Sequence, residues 1–117
     1  MKSISLDEMY LQMVQAKQAH FLVDKVDLIQ EVSSHRMVEV YNSWIEGFVY
    51  RSDCPFDSHG DPSMPLLLNP NRKIYYCHYC AKGGNVVGYI KELESCSNGY
   101  ALIYLANKYN LDLPIEL

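Results

Sequence analysis

Polar and apolar positions along the chain predict a helix, a second short helix, a run of strands and then two further helices. Ser5-Leu6-Asp7-Glu8 has the form of a capping box, and Leu6, Met9, Tyr10, Met13 and Val14 follow at helical spacing. The pattern predicts a helix over roughly 6–21. Asp24 is placed to cap a short second helix that carries Val26, Leu28, Ile29 and Val32 and ends at Ser33-Ser34. Met37 to Tyr41 alternates as a strand does, and Gly47 to Arg51 reads as its partner across Asn42-Ser43. Met64 to Leu68 is a short apolar strand, Asn69-Pro70-Asn71 a turn, and Lys73 to Tyr76 the returning strand.

Gly83-Gly84 then breaks the pattern. Asn85 can cap a helix whose Val86, Val87, Ile90 and Leu93 share one face. After Ser97-Asn98-Gly99, Tyr100 to Tyr109 reads as a last helix ending near Asn110. There is no internal repeat and no low-complexity linker. The expected fold is α+β, with a zinc-ribbon-like antiparallel sheet flanked by short helices. The expected division is a helical extension over 1–23 and a zinc-binding domain over 24–117.

Chemistry enters with the cysteines. Cys54 sits in a Pro- and Gly-rich stretch, and Cys77-His78-Tyr79-Cys80 follows after one hairpin. Two short soft-ligand clusters about 15–20 residues apart have the spacing of a structural zinc site, each knuckle giving two ligands to one tetrahedral ion. Cys54, Cys77 and Cys80 are the expected thiolate ligands. His59 is the expected fourth, with Asp57, closer to Cys54 in a Cys-x-x-Asp register, as the alternative. His78 lies between the paired cysteines and is expected to point away from the metal; His78 or an outside group is the remaining alternative for the fourth ligand. Cys96, His20 and His35 read as ordinary core or surface residues.

Composition narrows the setting. At 117 residues the chain makes one small domain, for which a metal staple is physically useful. Its 49% hydrophobic and 21% charged residues belong to a folded protein. Ten tyrosines suit half-buried strands and base stacking alike. No stretch approaches the roughly 20 apolar residues of a membrane span. The acidic, interrupted N-terminus lacks a signal-peptide core, so the expectation is a cytoplasmic protein with no membrane partner. In that reducing setting a Cys-x-x-Cys pair means metal or redox chemistry rather than a disulfide. The net charge of −4 is unevenly spread: residues 47–91 hold five basic and three acidic residues, a local +2, and the flanks hold the remaining −6.

Taken together, Cys54-Pro55-Phe56, Pro62-Ser63, the hairpin, Tyr75-Tyr76-Cys77-x-x-Cys80 and Gly83-Gly84-Asn85-Val86-Val87 resemble the zinc-binding domain of bacterial DnaG-type DNA primases, the CHC2 zinc finger. Val26-Asp27-Leu28-Ile29 resembles the short helix that begins that domain, and Leu105-Ala106 through Leu113-Pro114 its closing helix and exit, so the likeness covers about 24–114. One departure stands out. The family has Cys-Pro-x-His, whereas this chain has Asp57 in that position and His59 two residues later.

The resemblance implies Zn2+ and a small sheet that shows basic and aromatic side chains to single-stranded DNA. Arg51, Arg72, Lys73, Tyr75, Tyr76, Tyr79 and Lys82 are the candidates for that surface. Strand alternation sends one of Tyr75 and Tyr76 to the core and the other to the open face. Gly83-Gly84-Asn85 opens a helix that can receive a phosphate, although such a pair more often only turns the chain. The acids are scattered instead of clustered for divalent ions, so no catalysis is expected from this chain alone.

The expected role is a stand-alone primase-like zinc module that binds single-stranded DNA template and assists a separate primase or helicase-type replication protein, in a setting such as a phage or mobile element. The alternative is a zinc-stabilised protein-interaction module that docks through its N-terminal helix. A redox role for Cys77-His78-Tyr79-Cys80 is disfavoured by the glycines after Cys80 and by the Cys54 knuckle.

Overall fold

A computed structural model describes residues 5–42, 44–56 and 65–116. Helix α1 (Leu6–Lys25) starts where the capping box places it, with the Ser5 hydroxyl accepting from the Glu8 N–H. It runs four residues past the expected end. Val26 closes it, so Asp27 rather than Asp24 caps α2 (Leu28–Ser33), and its carboxylate accepts from the Ile29 N–H at 2.8 Å. The expected division at residue 23 thus falls within the last turns of α1.

Strands β1 (Glu39–Val40), β2 (Tyr50–Asp53), β3 (Pro65–Asn69), β4 (Ile74–Cys77) and β5 (Lys82–Gly84) form one antiparallel sheet in chain order. The first hairpin differs from expectation. Its strands are shorter, and the register Glu39↔Arg51 and Val40↔Tyr50 shifts β2 toward Asp53 and leaves a long loop before Tyr50. Gly83-Gly84 does not simply break the chain, because it forms the edge strand β5. Helices α3 (Val86–Glu94) and α4 (Asn98–Lys108) follow, capped by Asn85 and Ser97.

Alternation along the strands decides what the sheet buries, since directly paired residues share a face. The rows Tyr50–Leu68–Tyr75–Gly84 and Ser52–Leu66–Cys77–Lys82 lie on the inner face. There Leu66, Leu68, Tyr75 and Cys77 pack with Leu22, Val26, Leu28 and Val32 of the first two helices and with Val86, Ile90, Leu102 and Leu105 of the last two. Gly84 and Gly88 lie against the Tyr75 ring, where a methyl group on either would meet the ring or its hydroxyl at 3.5–3.7 Å.

The apolar stripe predicted for α1 behaves unexpectedly. Val14 is buried, whereas Leu6, Met9, Tyr10 and Met13 are exposed. The core takes only the last member of that stripe, Val14, and then Leu22 further along the helix. Helical spacing identified the stripe, but not whether it meets a core or water.

Two buried polar groups hold the frame. Glu31, fully buried on α2, binds His35 at 2.9 Å, Lys108 at 2.9 Å and the Tyr109 hydroxyl at 2.6 Å, clasping α2 to the end of α4. Asn69, at the end of β3, accepts from the Arg72 N–H at 3.0 Å and lies against Gly47. Gly47 has φ +85°, and a Cβ there would fall 2.5 Å from the Asn69 amide nitrogen. Gly47→Ala therefore combines a left-handed backbone with displacement of a buried amide. It is expected to cost about 1–3 kcal/mol, read as a fall in thermal midpoint.

Candidate metal centre

Cys54 follows β2, Cys77 ends β4, and Cys80 closes the turn that leads into β5. Ala81, at φ +55°, reverses the chain after Cys80 so that β5 can pair back on β4 with Lys82 opposite Cys77. The three sulfurs lie within 4.8 Å of one another, and the Cys54 and Cys80 Sγ atoms are 3.7 Å apart. Zinc–sulfur bonds of about 2.3 Å imply tetrahedron edges of about 3.8 Å, so this spacing fits a shared tetrahedral ion. The donor set is therefore suited to zinc. His59 and Asp57, the expected fourth ligand and its alternative, lie outside the described residues.

Below the cluster sits an aromatic layer. Phe56 packs against Tyr75 and Tyr89 with ring centroids 5.7 and 6.1 Å away, and Tyr75 meets Tyr89 edge-on at 5.7 Å. This apolar floor withholds solvent from one side. Burial pushes the metal-free Cys54 thiol up to about 12. Zinc would have to displace that proton, so metal uptake weakens as the medium turns acidic.

The residues expected to meet DNA do not form one surface. Arg51 and Tyr76 lie on the outer face in the cross-strand row Arg51–Leu67–Tyr76–Gly83. Arg51 also binds Glu39 at 2.6 Å and stands 5.0 Å over the Tyr41 ring. His78 packs edge-on against Tyr76 at 6.2 Å and faces outward. Tyr79 is exposed in the knuckle, and Arg72 in the β3–β4 turn.

The other three lie elsewhere. Tyr75 is 2% exposed in the aromatic layer, so it is the core partner of the Tyr75–Tyr76 alternation. Lys82 is on the inner-face row, where it binds Glu92 at 2.8 Å and rests 5.7 Å over Phe56. The bond to Glu92 raises the Lys82 ammonium above its ordinary value. Lys73 reaches back to the carbonyl of Asp24 at 3.3 Å, at the junction of the first two helices.

Nor is the start of α3 an open phosphate cradle, because the Asn85 side chain already accepts from the Gly88 N–H at 3.0 Å. Tyr41, beside Arg51, was not among the candidates. Its signal was the alternation of Glu39 and Tyr41, which places both on the Arg51 side.

A five-stranded antiparallel sheet with a three-thiol cluster between its strand ends defines an α+β zinc-ribbon module. The chain belongs to the CHC2 zinc finger family, whose pattern matches residues 14–117, and zinc is its metal. It is similar to the DNA primase of Thermotoga maritima, 35% identical over 92 residues, which are 79% of this chain and 15% of that protein. The DNA primases of Pseudomonas aeruginosa (28% over 95 residues; 81% and 13%) and Borreliella burgdorferi (33% over 84 residues; 68% and 16%) are also similar. The chain thus spans about a seventh of the length of these relatives. In three dimensions it resembles the Aquifex aeolicus primase structure that contains zinc-binding and RNA polymerase domains, with TM-score 0.69 and 26% identity over 85% of this chain and 23% of that one.

Proposed function

We propose that the protein is a zinc-organised template-binding module that holds single-stranded DNA on the outer face of its sheet and serves a primase catalytic unit. The observation that carries this reading is the outer-face pair Arg51 and Tyr76, with Tyr41 and His78 beside them, on strands whose ends carry the three thiols. In this reading Cys54, Cys77, Cys80 and His59, or Asp57 in its place, hold the zinc. The metal fixes the strand ends and carries out no step on the nucleic acid. Arg51, Arg72, Tyr76 and Tyr79 meet the template; Tyr75, Lys73 and Lys82 support the surface from behind. The chain itself is non-catalytic.

The test couples metal content to binding of a labelled oligodeoxynucleotide by fluorescence anisotropy. Tyr76→Ala is expected to weaken binding about 5- to 100-fold at unchanged zinc content, the loss of one base stack. Affinity should also fall steeply with salt, and Arg51→Gln should flatten that slope by about one phosphate contact. Zinc loss in His59→Ala but not in Asp57→Ala is the expected ligand result, and the reverse would reassign the fourth ligand. Zinc-loaded wild type with no oligonucleotide affinity at low salt would sink the function.

A second reading, docking of a protein partner through α1, is favoured by the exposed Leu6, Met9, Tyr10 and Met13. Those four residues precede the family match at residue 14. This reading predicts a zinc-loaded protein that ignores oligonucleotides and whose complex with a primase catalytic unit is lost in Met9→Glu.

A further inference from the structure

The one tryptophan of the chain, Trp44, stands in the loop between β1 and β2 and is 88% exposed. A large indole left in water forgoes the burial such a ring ordinarily gains, so its exposure calls for an account. The loop that carries it is anchored: Phe48 is buried, its N–H donates to the Ile45 carbonyl at 3.2 Å, and Gly47 backs onto Asn69.

Two and three residues beyond Trp44, Glu46 and Gly47 line an open depression of about 310 Å³, with Asn69 at the end of β3 and Asn71 and Arg72 of the β3–β4 turn as its other wall. The Arg72 main chain is tied to Asn69, whereas its exposed guanidinium makes no bond among the described residues. Apart from Gly47, the residues that line it are polar or charged: Glu46, Asn69, Asn71 and Arg72. It suits a sugar and phosphate better than an aliphatic protein side chain. Glu46, the one acid in the lining, confines an anion to the Arg72 end.

We infer that this end of the sheet is a nucleotide subsite: Trp44 stacks on a base of single-stranded DNA and Arg72 takes the adjoining phosphate. Charge complementarity selects the occupant. A strand of DNA offers a flat ring to the exposed indole and an anion to the exposed Arg72 guanidinium, which has no partner among the described residues, beside a depression lined by polar and charged residues. The inference rests on the template-binding reading above and extends the bound strand off the sheet, past the β1–β2 loop.

A single tryptophan makes its own reporter. The zinc-loaded chain is titrated with a short mixed-sequence oligodeoxynucleotide at low salt, with indole emission and the anisotropy of a labelled copy followed in parallel. Emission is expected to be quenched with the midpoint that anisotropy gives. Trp44→Ala should weaken binding at least about fivefold, Trp44→Phe should retain most of the affinity, and Arg72→Gln should flatten the salt slope by about one contact. Binding by anisotropy with unmoved indole emission and an unaffected Trp44→Ala variant would overturn the subsite while leaving template binding intact. No binding in either channel would overturn both. Emission that ignores DNA but shifts with an added primase catalytic unit would also overturn the subsite and assign Trp44 to a protein contact.

Discussion

Cys77→Ala is expected to strip the protein of zinc and to unfold the sheet. Cys77 is fully buried between β3 and β5, and its sulfur is within 4.8 Å of both partner thiols. Structural zinc in small fingers supplies about 10–16 kcal/mol of apparent binding energy at neutral pH, comparable with or larger than the roughly 5–15 kcal/mol net stability of a whole domain. Losing one of the three clustered thiols therefore removes enough to tip the fold. The helices have their own contacts in Leu22, Ile90 and Leu105, so residual helical signal should outlast the loss of cooperative melting. Cys96→Ser is the control. Cys96 packs against the core with its sulfur 3.7 Å from the Ile90 carbonyl, apart from the three-thiol cluster, and that variant should keep one zinc per chain. Metal content by atomic absorption and melting by circular dichroism decide the matter. A Cys77→Ala protein that keeps its zinc and melts like wild type would remove the cysteines from the site.

The coming together of these three cysteines was the most legible part of the chain, because it is announced by two short knuckles one hairpin apart. Helix starts were legible for a related reason: Ser5 and Asn85 cap with their own side chains, a few residues from the donors they satisfy. The fourth strand and the turn before it were readable from Asn69-Pro70-Asn71 and the tyrosine pair. What the chain concealed was set at long range. Strand β5 reads as a break because glycines mark turns, yet Gly83 serves a packing need: a Cβ there would sit 3.0 Å from the Tyr75 carbonyl. With β5 unread, the facing of Lys82 was unread too, since only its pairing with Cys77 places it on the inner face. The position of Asp27 against Asp24 turned on whether α1 would run one turn further, a choice made by burial of Val26 and Leu28.

Glu31 was the deepest of these omissions. An acidic residue on a short helix reads as surface, and nothing nearby in sequence shows that Lys108 and Tyr109 will close over it. The fully buried carboxylate makes the effects of its partners unequal. Lys108→Met is expected to be the more damaging change, costing about 3–5 kcal/mol, because it strands a buried charge with only His35 and the Tyr109 hydroxyl. Glu31→Gln keeps the shape and leaves a lysine that can turn to water, so about 1–2 kcal/mol is expected. The reverse order in urea unfolding would show that the clasp carries little electrostatic weight.

The clasp also has a pH signature. Burial is the largest single influence on Lys108 and opposes its charge, but the bond to Glu31, the attraction of that carboxylate and Tyr104 together outweigh it and hold the ammonium above its ordinary 10.5; burial and the same carboxylate push the Tyr109 hydroxyl above its ordinary 10.0. Groups with a raised folded pKa give stability that is complete below their unfolded value and is lost as the pH climbs through the folded one. The clasp should therefore hold through neutrality and fail above pH 10. Glu31→Gln should lose less stability than wild type between neutral and strongly alkaline solution, because it has already given up the carboxylate that raises both groups. Equal alkaline losses in the two proteins would place the sensitivity elsewhere, with the buried Tyr75 and Tyr89, each pushed to about 12 by burial.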